Sequence, residues 1–205
     1  MLIPIAIGTN NEVIVLISII MKRLLFIFII SLVFITQVKA QTKYYFPEGN
    51  SNLDFTSKYL ATIKEPIIFQ SKSKYDEYRF TWLRSFDYPV VIRIEKRGDI
   101  YTVYWKEWDF YNKQIKRITD GQKNINKEIW DRFMNKLSHT NFWNMDINDP
   151  NEQGLDGAEW TLEGKSSSKY HVVERWSPKS STDYFQCCDY LIGLTDLQIP
   201  ENRKY

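Results

Sequence analysis

Glu159, His171 and Arg175 are the side chains whose types and spacing best suit chemistry. They lie in the stretch 154–178, GLDGAEWTLEGKSSSKYHVVERWSP, where two alternating runs flank a polar centre, the pattern of a β-hairpin with its loop near Gly164 to Ser168. With Lys169 set opposite Glu163, Trp160, Leu162, Tyr170, Val172 and Trp176 share an inward face. The outward face then gathers Glu159, His171 and Arg175. A carboxylate beside an imidazole is an acid/base pair, and a guanidinium can hold an anionic group. Asp156 is a second candidate acid. A one-residue slip would surround Trp160 with His171 and Arg175 and press Glu159 against Glu174, so the first register is expected.

Other constellations are weaker. Asp149, Asn151 and Asp156 partly imitate a calcium loop, but with Asp149 as position one the twelfth position, which needs a bidentate acid, is Trp160. No metal or cofactor is expected. Cys187 and Cys188 are adjacent, and on a regular helix neighbouring side chains diverge by about 100°. Reduced, packed thiols are expected, with a strained vicinal disulfide or an intermolecular bridge from Cys187 as alternatives. Tyr104, Trp105 and Trp108 put aromatic surface on both faces of one strand, which would suit sugar stacking.

The elements that must position these residues begin after a targeting segment. Met21-Lys22-Arg23 is a basic start, 24–35 is apolar apart from Ser31, and Val38-Lys39-Ala40 has small residues at a cleavage position. Residues 21–40 therefore read as a signal peptide cut after Ala40, and 1–20 as an upstream extension from a misassigned start or as part of a longer presequence. The apolar run is short for a membrane span, so no stable anchor is expected after cleavage. Losing Lys22, Arg23, Lys39 and Glu12 from the 27 basic and 25 acidic side chains leaves 24 of each in residues 41–205, a balance that argues against a nucleic-acid partner.

Residues 41–205 fit one domain. Phe55, Tyr59, Leu60 and Ile63 recur at helical spacing, with Asn52 or Asp54 as cap and Pro66 as stop. Strands are expected at 78–85, 90–95 and 100–108, with Gly98 in the turn between the last two, and a further strand at 114–119 ending at Asp120-Gly121. Asn124 or Asn126 caps a helix whose Ile129, Trp130, Phe133, Met134 and Leu137 form one stripe. Phe142 and Trp143 then seat against the sheet, and a last helix behind Ser180, Ser181 or Thr182 turns Tyr184, Phe185, Cys188, Leu191 and Ile192 inward. The tail 198–205 reads as frayed. The fold class is α+β, a mainly antiparallel sheet packed by two or three helices, with a prominent hairpin at about 158–176.

Gly154-Leu155-Asp156-Gly157-Ala158-Glu159-Trp160 with Tyr170-His171-Val172-Val173-Glu174-Arg175-Trp176-Ser177-Pro178, preceded by Phe142-Trp143, resembles a pattern carried by a group of exported bacterial proteins without an established activity. The arrangement around 78–94 is similar too. The resemblance implies secretion, to the periplasm or the cell exterior, and a small α+β domain; it assigns no functional residues. The leading expectation is a non-enzymatic protein that contacts a protein or small ligand. A cell-envelope or extracellular hydrolase, with Glu159 or Asp156 as acid/base beside His171, and a carbohydrate-binding module using Tyr104, Trp105 or Trp108 are the alternatives.

Overall fold

Tyr78, Phe80 and Trp82 alternate with Arg79, Thr81 and Leu83, and all six side chains are buried. A strand buried on both faces must be covered on both, and this one is central in its sheet. The structure, a computed structural model, describes residues 15, 17–25, 44–47, 53–109, 116–149, 154 and 156–205. In chain order the folded unit Tyr44–Tyr205 contains α1 (Asp54–Thr62), β1 (Asp76–Arg84), β2 (Val90–Arg97), β3 (Ile100–Asp109) and β4 (Lys116–Ile125). Next come α2 (Lys127–His139), a 3-10 turn at Phe142–Asn144, β5 (Ala158–Ser166), β6 (Lys169–Trp176), α3 (Asp183–Gly193) and a 3-10 turn at Glu201–Arg203. Residues 17–25 are helical and belong to a separate unit, Met1–Lys43. No described helix is long and apolar enough to cross a membrane.

The sheet is six-stranded, in the order β4-β3-β2-β1-β5-β6, and antiparallel throughout. This is the expected single α+β domain with its C-terminal hairpin. On one face, here the helix face, Tyr78, Phe80, Trp82, Ile92, Val103, Trp105, Trp160 and Leu162 pack with Trp130, Phe133 and Leu137 of α2 and with Phe185, Leu191 and Ile192 of α3. Asn126 caps α2 by accepting from the Ile129 N–H, and Thr182 caps α3 by accepting from the Phe185 N–H. Phe142 and Trp143 set their rings against Tyr78, as expected.

The opposite, strap face is covered by Tyr45, Phe46, Leu53 and the Tyr59, Leu60 and Ile63 side of α1, which pack on Leu83, Val91 and Val172. Leu53, not a side-chain cap, precedes α1, and Asn52 lies outside the described residues.

Three expectations are corrected. The fourth strand continues through Asp120-Gly121 to Ile125. Gly121 is there because a Cβ would lie 2.3 Å from the Trp105 ring of β3, so the glycine admits an indole and does not end the strand. The end of the chain is docked, not frayed: the Tyr205 carbonyl accepts from the indole N–H of Trp160 at 2.8 Å and of Trp82 at 3.1 Å. The hairpin register also differs, with direct consequences for the candidate site.

Candidate functional site

In the hairpin, Lys169 pairs with Ser166 and not with Glu163, and Trp160 stands opposite Arg175, Leu162 opposite Val173 and Gly164 opposite His171. The offset is an odd number of residues, so every side chain of one strand changes face relative to the other. The turn is Ser167-Ser168, with Ser167 in the left-handed region at φ 54°. Gly164 lies within β5, where a Cβ would come 2.4 Å from the Tyr78 ring.

Glu159 is therefore separated from His171 and Arg175. His171 and Arg175 lie on the helix face with Trp160. The His171 Nε2 is 2.9 Å from the Met145 carbonyl, and its ring packs edge-on against Phe142. Arg175 donates to the carbonyls of Ile147 at 3.1 Å and Asp146 at 3.1 Å, and its guanidinium lies over the Tyr184 ring. Both side chains thus fasten the 145–147 segment to β6, whose Glu174 N–H also bonds to the Ile147 carbonyl. Glu159 occupies the strap face, where its Oε1 accepts from the hydroxyls of Thr56 and Thr161. Asp156 is exposed at the entry to β5.

The strap face carries instead an ionic network. Arg79, fully buried, donates to Glu163 and to the Pro66 carbonyl, and Glu163 accepts a further bond from the Tyr170 hydroxyl. Glu65, in the turn after α1, meets Arg93 at 3.2 Å, Lys106 at 2.6 Å and Arg79 at 3.7 Å. Arg93 also reaches Glu77 and Glu95, and Arg97 pairs with Glu95. Burial alone would raise the Glu65 pKa, but Arg79, Arg93 and Lys106 outweigh it and hold the carboxyl below its ordinary value. Lys165 ends the row by donating to the Ser71 and Ser73 carbonyls. The sequence does carry a signal for this network: Glu77/Arg79, Arg93/Glu95 and Glu163/Lys165 are charged i, i+2 pairs, and β2, β1 and β5 set them side by side.

The aromatic candidates of β3 also divide. Trp105 turns to the helix face and is buried, and Trp108 packs partly buried against the strap-face cluster. Tyr104 projects on the strap face, where the Arg93 guanidinium lies 4.2 Å from its ring centroid. Beside it an open cavity of about 290 Å³ is lined by Arg93, Tyr104, Trp105, Lys106, Asp120, Gly121 and Gln122. A cavity of about 240 Å³ lies between α2 and the Phe142–Asn144 turn.

Of the calcium candidates, Asn151 lies outside the described residues, and among those described no three His, Cys, Asp or Glu side chains are grouped to hold a metal. Cys187 and Cys188 are free and buried in α3. Burial pushes the Cys187 thiol up to about 12 and the Cys188 thiol well above its ordinary value, which denies both the thiolate form a nucleophile needs. No family model and no curated protein matches the chain.

Proposed function

We propose that this chain is an exported, non-enzymatic binding protein that takes a small hydroxyl-rich ligand, a single sugar ring in size, on the open part of its strap face. The observation that carries this reading is the cavity beside Tyr104. It combines an aromatic ring with a carboxylate, Asp120, and an amide, Gln122, both exposed. A flat apolar ring edged by polar groups that fix orientation is the usual make-up of such a site, and about 290 Å³ is at its small end. Lys106 and Arg93 are already engaged by Glu65, Glu77 and Glu95, so the cavity offers little uncompensated positive charge and favours a neutral ligand over an anion. Export is supported by the basic, apolar and small-residue order of 21–40 and by the resemblance of the 142–178 pattern to exported proteins.

The hydrolase reading loses its main pair, because Glu159 and the His171 imidazole stand on opposite faces of the sheet. The sugar-binding reading narrows from three rings to one, Tyr104. The test is an amide chemical-shift titration with a panel of neutral mono- and disaccharides. The expected result is saturable shifts at Tyr104, Asp120 and Gln122 for at least one sugar, weakened tenfold or more by Tyr104→Ala. Shifts confined to other surfaces, or none with any sugar, would overturn the reading.

A further inference from the structure

Four strap-face carboxylates, Glu65, Glu77, Glu95 and Glu163, each have an arginine or lysine partner. Two others, Glu159 and Glu174, form no ion pair among the described residues. Glu159 pairs with Trp176 across the hairpin and Thr161 with Glu174, so the two acids are diagonal neighbours on one face, about 7–8 Å apart at the backbone. The Glu159 carboxyl is bonded by two hydroxyls, one of them from Thr56 on α1, and the Glu174 Oε2 is buried without a hydrogen-bond partner among the described residues. Two adjacent acids with no bonded cation and restricted water cannot both hold full charge cheaply.

We propose that Glu159 and Glu174 form an acid pair, one member of which keeps its proton, that clasps α1 to the β5–β6 hairpin, so that loss of that proton loosens α1 while the rest of the sheet stays folded. Among the described residues, the surrounding elements give the pair no ion-pair partner. On β6, Arg175 is the adjacent cation, and its guanidinium is turned through to the other face, onto carbonyls. On β5, the next acid, Glu163, is taken by Arg79. From β1, Leu83 stands opposite Glu159. From α1, Thr56 reaches the pair while the charged Asp54 and Lys58 are exposed. The 145–147 segment that packs on β6 carries one charged side chain, Asp146.

The proton affinities agree with this geometry. Burial first, and then the charge of Glu159, push Glu174 up to about 7 against the pull of Arg175. Burial also raises Glu159, with the Thr56 and Thr161 hydroxyls opposing. An unfolded glutamate releases its proton near pH ~4.3. The folded state thus binds the extra proton between there and about pH 7. The clasp is at full strength below the unfolded pKa and is lost as pH rises through the folded one.

The experiment is hydrogen exchange of the α1 amides in the folded chain at pH 5 and pH 8, corrected for intrinsic rates and referred to β2 amides. Wild type should lose about tenfold in relative α1 protection at pH 8. Glu174→Gln should keep equal protection at both. An unchanged pH response in that variant overturns the proposal. Should the variant fail to fold, side-chain carboxyl NMR of the wild type decides: a Glu174 midpoint at about 6 or above supports the clasp, and any lower midpoint overturns it.

Discussion

Tyr78 rests its ring over Gly164, and Trp105 rests its indole over Gly121, so two glycines in strand interiors are there for the space they leave and not for backbone freedom. A methyl group at 164 would meet Tyr78 carbons at 2.4 and 2.6 Å, in a core already crowded by Phe142. Gly164→Ala should therefore destabilise the fold by about 1–3 kcal/mol in urea denaturation. Gly193→Ala, with nothing within 4 Å at the end of α3, should leave stability unchanged or slightly raised. Residue type alone hides this distinction. Gly98 does occupy a turn with φ 62°, and Gly164 and Gly121 look the same in sequence, yet their reason is a ring from another strand.

Among elements, α2 and α3 were legible because capping and 3.6-residue periodicity are local: Asn126, Thr182 and the Trp130, Phe133, Leu137 stripe need nothing beyond their own segments. The hairpin's strands were legible and its register was not. The rejected alternative set His171 and Arg175 beside Trp160 and Glu159 near Glu174, and that is the face assignment the structure adopts. Its apparent costs are met from elsewhere, by the carbonyls of 145–147 for the two basic side chains, by the Thr56 and Thr161 hydroxyls for Glu159, and by a raised proton affinity for Glu174. The same face holds the Arg79–Glu163 pair, buried to 0% and 1% of side-chain exposure. Replacing Arg79 by Met should cost about 3–5 kcal/mol, because the Glu163 charge is then stranded; Glu163→Gln should cost less, because Arg79 keeps Glu65 at 3.7 Å. The double replacement Arg79→Met with Glu163→Leu should recover most of that loss, and a double-mutant cycle by chemical denaturation checks it.

At the scale of the whole molecule, β1 links two locally formed parts, the β1–β4 meander and the β5–β6 hairpin. The α+β class and strand order within each part follow from local patterning; the β1–β5 junction, and with it the ionic row from Glu77 through Arg79 to Glu163, depends on pairing between residues far apart in sequence. The edges are treated differently. The 145–147 segment covers β6, whereas β4 exposes Lys116, Arg117 and Lys123, charges that discourage another strand from adding there. The strap face is therefore a mixed core, apolar under α1 with salt bridges near its centre, and with two acids, Glu159 and Glu174, that form no ion pair among the described residues at its hairpin end. The whole account follows from one pairing of β5 with β6. Methyl and aromatic NOEs on the folded chain test it most directly. Strong contacts between the Leu162 and Val173 methyls, with the Trp160 indole close to the Arg175 side chain, are the result predicted; Trp160 in contact with Val172, and Leu162 distant from Val173, would contradict it.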